Sequence, residues 1–187
     1  MKTLFIEERI TYGGTQLAPH WIYRNFSLIG DAAVAFIGEV NVPVDNMVDL
    51  VDVHHNEPIY SPLMLNFVIE HFSTDLELGV YRQRMFMVAI KEELEQYEIP
   101  VNRLGDDLYV NRGKLSVSIA TSSVVSTLMH IGLNIETEGS PVKACGLKEL
   151  EIPDLKSFAE NVMLRYKREL EQIYEARCKV RGRTLEG

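Results

Sequence analysis

GDDLYVNRGKLSVSIATSSVVSTLMHIGLNIETEG, residues 105–139, decides the fold. Side chains along a strand point alternately to opposite faces. Lys114, Ser116, Ser118, Ala120 and Ser122 therefore share one face of a strand, and Leu115, Val117 and Ile119 share the other. After a serine-rich break the pattern returns. His130, Gly132 and Asn134 fall on one face, Met129, Ile131, Leu133 and Ile135 on its opposite. Two such strands in an antiparallel pair offer a bulky apolar face to a core and a small, polar face with room above it. The second face reads as the floor of a site.

Working outward, the turn Asn111-Arg112-Gly113 joins a strand at 107–111 to the one at 114–122, and a further strand occupies 128–136. Upstream, residues 3–9 form a short strand and Tyr12-Gly13-Gly14-Thr15 a turn. Residues 21–35 read as a pair of strands broken at Gly30-Asp31, and 32–40 (AAVAFIGEV) as a buried strand. A loop surrounds Pro43, and MVDLVDV, 47–53, alternates again. Helical spacing begins at Ser61-Pro62, with Leu63, Met64, Phe67, Val68 and Phe72 as its apolar stripe. A longer helix runs from Thr74, capped by Glu77 three residues on, to Pro100. A last one opens at Pro153-Asp154, with Leu155, Phe158, Val162, Tyr166, Leu170 and Ile173 on one face. The fold class is α+β, a mixed or antiparallel sheet flanked by helices. Residues 1–152 form the domain, and 153–187 add a C-terminal helix packed on it plus a basic tail.

With 187 residues, 46% of them hydrophobic and 25% charged, the chain is long enough to bury a core. Its net charge of −8 argues against a nucleic-acid footprint, which needs basic surface. No run approaches a membrane span, and Glu7 and Glu8 follow Met1-Lys2-Thr3-Leu4 too early for a signal peptide. Cys145 and Cys178 have no paired spacing, so a reducing, cytoplasmic setting is expected.

Cys145 and Lys114 are the candidate chemistry. A thiolate can attack an acyl carbonyl and hold the group covalently, but a free thiol is mostly protonated at neutral pH and needs a nearby cation. Lys114 supplies one if strand and loop bring the two together. Asp107, with Asp106, is placed to orient that ammonium or an acceptor amine. His54-His55-Asn56-Glu57 does not read as a metal site, because neighbouring histidines on a strand point apart. No metal is expected.

The order of a lysine-bearing strand, then His130-Ile131-Gly132-Leu133-Asn134, then Cys145-Gly146 resembles the octanoyltransferase branch of the biotin- and lipoate-ligase superfamily. The chain as a whole looks like a member of an uncharacterised prokaryotic family, domain of unknown function number 366. The resemblance implies the class II synthetase / biotin-lipoate ligase catalytic fold, with Lys114 and Cys145 as catalytic pair. Ser116, Ser118, His130, Gly132, Asn134 and Asp107 would then line the substrate. It implies an acyltransferase-like enzyme moving a thioester-linked acyl group to an amine. The alternatives are an adenylate-forming ligase using Lys114, or a small-molecule-binding protein on the same scaffold. No cofactor is expected beyond an acyl-carrier-linked or acyl-adenylate substrate, and the partners are that substrate or carrier, with room for a homodimer. One departure stands out. The superfamily carries a glycine-rich run after an arginine ahead of its first long helix, and here FIGEVNVPVDNMVDLVD, 36–52, is acidic instead.

Overall fold

In a computed structural model that describes residues 1–56, 59–137 and 143–182, the chain folds around one mixed sheet. Its strands are β1 (Lys2–Ile6), β2 (Ala32–Val42), β3 (Ile59–His71), β7 (Ser116–Ser122) and β8 (Thr127–Glu136). They lie in the order β1-β2-β3-β8-β7, with β1 parallel to β2 and every other pair antiparallel. β4 (Asn102–Leu104), β5 (Asp107–Val110) and β6 (Gly113–Lys114) form a small second sheet beside β7. The helices are α1 (Trp21–Phe26), α2 (Leu50–His55), α3 (Leu76–Gln96) and α4 (Leu155–Cys178). This is the expected α+β layer arrangement.

Alternation divides the apolar residues of the sheet into two cores. Ala33, Ala35, Leu65, Phe67, Ile69 and the odd-numbered residues of β8 from Met129 to Ile135 face α3 and α4, meeting Phe86, Ile90, Phe158, Val162 and Tyr166. Val34, Phe36, Val40, Met64 and Val68 face the other way, covered by Ile22 of α1 and by Tyr12. The two long helices start where a carboxylate can take up their first amides. Asp75 accepts from Leu78 N at α3, and Asp154 from Lys156 N at α4.

Three expected elements are different in the structure. The segment from Ser61 is strand β3, not helix. It is the central strand of the sheet, buried on both faces, so its apolar residues run almost without a break and mimic helical spacing. Pro62 is tolerated because the pairing with β2 slips between Gly38 and Val40, and that with β8 slips at Leu63/Met64. Residues 47–53 form no strand. Asp49 accepts from Val51 N at 2.8 Å and starts α2, and Asn56 ends it in the left-handed region at φ 55°. Residues 21–26 are α1, between left-handed His20 and Ser27, rather than the first strand of a pair.

Candidate functional site

On the sheet face away from α3 and α4, a cavity of about 340 Å³ opens over β7 and β8. Its apolar wall is Leu17, Val40, Val42, Ile59, Val117 and Ile119; its polar groups include Asp106, Asp107, Lys114 and His130. Asp49 and Asp52 of the α2 region stand at its edge. Among the described residues no group of three or more His, Cys, Asp or Glu side chains is placed to hold a metal ion.

The deep end is built by residues 10–14, a strap that runs parallel to β2 beside it. Tyr12 N donates to Glu39 O (2.8 Å) and Asn41 N to Tyr12 O (2.9 Å), so the strap extends the pairing of β2. Gly38 makes the close approach possible: a Cβ there would lie 1.9 Å from Ile10 O. The strap lays the Tyr12 ring flat on His130, with centroids 3.6 Å apart and planes 7° apart. Both rings are buried. His130 Nε2 lies 2.9 Å from Asn66 Oδ1. Burial pushes the imidazole down to about 3, so it is neutral in the folded protein at ordinary pH, and burial raises the Tyr12 phenol.

Lys114 stands at the other end. Its Nζ pairs with Asp107 Oδ1 at 3.0 Å, both groups about a third exposed, which makes the pair worth about 0–1 kcal/mol. Asp106 is held separately by Arg84 Nη1 (2.7 Å) and by the Ser118 hydroxyl, which donates to Asp106 Oδ2 at 3.2 Å. Asn134 Nδ2 donates to Lys114 O (3.2 Å) and fixes the lysine's backbone.

The structure thus brings Lys114, Asp107, Ser118 and His130 to one cavity, and it does not bring Ser116, Gly132, Asn134 or Cys145 there. The reason for Ser116 is register. Val117 pairs with Gly132 and Ile119 with His130, so the pocket face of β7 carries valine and isoleucine. The serines of β7 sit on the helix side: the Ser116 hydroxyl is wholly buried and accepts from Leu108 N at 2.9 Å, and Ser118 accepts from Gln83 Nε2 at 2.7 Å while its residue edges the cavity. Leu115 lies between β6 and β7 and shifts the phase by one. Lys114 therefore shares a face with Val117 rather than with Ser116. Above Gly132 there is no free space, since a Cβ would lie 2.9 Å from Met64 Cε and 3.2 Å from Val117 Cγ2.

Cys145 departs furthest from the expectation of a lysine and a thiol meeting across an open hollow. The backbones do adjoin: Lys114 N donates to Lys143 O (2.9 Å) and Cys145 N to Lys114 O (3.0 Å). Ala144, opposite Lys114 in that bridge, shares its face, so Cys145 turns to the other. The thiol is 5% exposed within the helix-side core. Burial raises its pKa, and the Glu149 carboxylate raises it further. That is the environment of an inert thiol.

Sequence reasoning passed over Tyr12, Asn66 and the apolar wall from β2. Of these, only the Tyr12-Gly13-Gly14 turn carried a local signal. Residues 138–142 of the loop before Cys145, Glu57 and the tail from Arg183 lie outside the described residues.

A mixed sheet with two long helices on one face is the fold this chain shares with biotin and lipoate protein ligases. The bipartite lipoate protein ligase from Thermoplasma acidophilum, in a structure reported with its E2 lipoyl domain, superposes with a TM-score of 0.60 at 14% identity, over 91% of this chain and 83% of that one. Biotin protein ligases from Aquifex aeolicus match at a similar level. Such identities speak for the fold alone. The chain itself belongs to the family described as domain of unknown function DUF366, matched over residues 1–181. A protein of unknown function from Pyrococcus horikoshi shares 39% identity and a TM-score of 0.92, over 98% of this chain and 100% of that one. An uncharacterized protein of Methanocaldococcus jannaschii is 36% identical over 179 residues, 92% of this chain and 81% of that protein.

Proposed function

We propose that the cavity binds a small carboxylic acid or its activated acyl derivative, with the Lys114 ammonium at the acyl oxygens and the chain along the apolar wall, for transfer to an amine. The observation that carries this reading is the pairing of one lysine with a hydrocarbon-walled slot of about 340 Å³. Asp107 holds the ammonium at 3.0 Å, so the cation is already oriented before an acyl group arrives. As the amine attacks the carbonyl, negative charge grows on the acyl oxygen and the ammonium stabilises it. The C–S bond of the donor then breaks, its thiolate departs with the electron pair, and the proton lost by the attacking amine converts that thiolate to the free thiol. Cys145 takes no part.

The reading favours a pre-activated donor over ATP. Residues 44–55 carry Asp45, Asp49 and Asp52, and these repel a polyphosphate of several charges far more than an acyl head group held at Lys114. The acceptor and donor are an amine and an acyl group on a carrier or coenzyme thiol, as the ligase-like scaffold suggests.

Thermal unfolding with saturated acids from hexanoate to decanoate tests the binding step. An acid present at a hundred times its Kd stabilises by about 2.7 kcal/mol, which for a chain of this size raises Tm by roughly 5–10 °C. Lys114→Met should abolish that rise while leaving the unliganded Tm nearly unchanged; an equal rise in the variant overturns the reading. The covalent acyl-Cys145 route is disfavoured, because only the two backbones adjoin and the thiol turns into the helix-side core. Mass spectrometry after incubation with an acyl thioester separates the two routes, since only the covalent one leaves an adduct on Cys145.

A further inference from the structure

The Lys114 end of the cavity accounts for an acyl head group but not for the deep end, where a polar edge is buried among hydrocarbon. His130 is 4% exposed and lines the cavity. Its protonation follows from its neighbour. Asn66, wholly buried, directs Nδ2 at two carbonyls, Met64 O (3.2 Å) and Gly38 O (3.5 Å), which can only accept. Asn66 Oδ1 must then be the atom facing His130, and it too can only accept, so His130 Nε2 carries the proton. A neutral imidazole has one N–H, which leaves Nδ1 as a lone-pair acceptor.

Among the described residues no donor meets Nδ1. Nor is it one of the side-chain atoms sealed from solvent without a partner, which are Arg82 Nη1 and Arg165 Nε. The opening it has is the cavity. Tyr12 covers one face of the ring at 3.6 Å and fixes its plane, so a ligand meets the edge, where the lone pair points. Protonation does not supply an alternative, because burial holds the ring neutral.

We propose that this end of the cavity is a donor-reading subsite: the ligand is a carboxylic acid or acyl group whose far end carries an N–H or O–H that His130 Nδ1 accepts. The inference rests on the reading of Lys114 as the acyl-end contact. Asn134, bonded to the Lys114 carbonyl, and His130 are four residues apart on β8, roughly 13 Å at the rise of a strand. Val117 and Ile119 wall the interval, so the two polar ends are joined by a hydrocarbon spacer. A hydroxyl, amide or ureido end satisfies Nδ1. A plain alkyl end strips it of water and gives nothing in return, which lowers affinity at least about ten-fold.

The test is a matched pair of equal heavy-atom count, 8-hydroxyoctanoate against nonanoate, titrated calorimetrically into the full chain. The hydroxy acid should bind at least about ten-fold more tightly. His130→Leu should erase that preference while still binding nonanoate, and Lys114→Met should weaken both acids. If both acids bind the wild type equally and both need Lys114, the donor subsite is overturned and the acid pocket stands. If neither acid binds, both readings fall together. Should His130→Leu not fold, the nitrogen-15 spectrum of the wild type decides the matter. The His130 Nδ1 resonance should move downfield as nonanoate strips its water and should not do so with 8-hydroxyoctanoate, which replaces that hydrogen bond; the same downfield movement with both, or with neither, overturns the subsite.

Discussion

Lys114 and Cys145 are joined by a backbone hydrogen bond and separated by a sheet. Thirty-one positions apart in the chain, their proximity was legible from residue order, but the faces their side chains take were not. A face is set by register, and one intervening residue, Leu115, reverses it. The same slip explains why His130 was placed on the pocket side and Ser116 wrongly joined to it: alternation holds within β8 and within β7, but only the pairing Ile119↔His130 says which faces coincide. The placement of the thiols has a direct consequence. Cys178 is exposed and Cys145 is buried with a raised pKa, so a thiol reagent at pH 8 should titrate one group in the native protein and two in guanidinium chloride. A Cys178→Ser variant should show almost no fast reaction. Rapid labelling of Cys145 in that variant would mean the thiol opens to solvent and would revive the covalent route.

Local patterns served best where an element packs one face and carries a cap. α3 and α4 showed both, and each was recovered from its apolar stripe, with its start within two residues of Asp75 or Asp154. β3 failed because a strand buried on both faces has no polar face to reveal its period. α2 and α1, six residues each, are too short for periodicity to outweigh their turn chemistry. The strap at 10–14 left no periodic trace at all. Its requirement appears instead at a distant glycine. Gly38→Ala drives a Cβ to within 1.9 Å of Ile10 O, a backbone atom that cannot move without breaking the strap's pairing to β2. We expect Tm to fall by at least several degrees, with the Tyr12–His130 stack and acid binding lost together; a variant that keeps wild-type Tm and binding would show the strap to be adaptable. Gly30→Ala is the control, since no atom lies within 4 Å of its added Cβ and only its left-handed φ of 87° resists the change.

Across the whole molecule, the sheet holds a neutral histidine on each of its two faces. His130 lies on the cavity side; His71 lies on the helix side, its Nδ1 2.9 Å from Asp31 Oδ2 and its Nε2 2.9 Å from the Tyr166 hydroxyl of α4. Burial lowers both pKa values, His130 to about 3, and the Arg82 charge lowers His71 further while Asp31 opposes the shift. Lowered values in a base fix the sign. Below about 6.5 the unfolded chain binds protons that the folded chain refuses, so stability is complete above that pH and falls as pH drops toward the folded values. Each histidine contributes a slope of up to about 1.4 kcal/mol per pH unit, and the two together up to about 2.7. Asp31 acts in a separate window. Burial raises its pKa, but His71 and the Phe72 amide outweigh burial and leave it lowered, so its contribution is lost only below about 4. Urea unfolding between pH 7.5 and 5 should therefore show an acid limb beginning near 6.5, with uptake of about one proton from His130 and a further part from His71. His130→Asn should reduce that uptake by about one while leaving the His71 limb in place. A flat profile down to pH 5 would mean that the imidazoles titrate inside the fold as they do in the unfolded chain. His130 would then lose its lone pair below about 6.5, and recognition of the ligand's far end would fade with it.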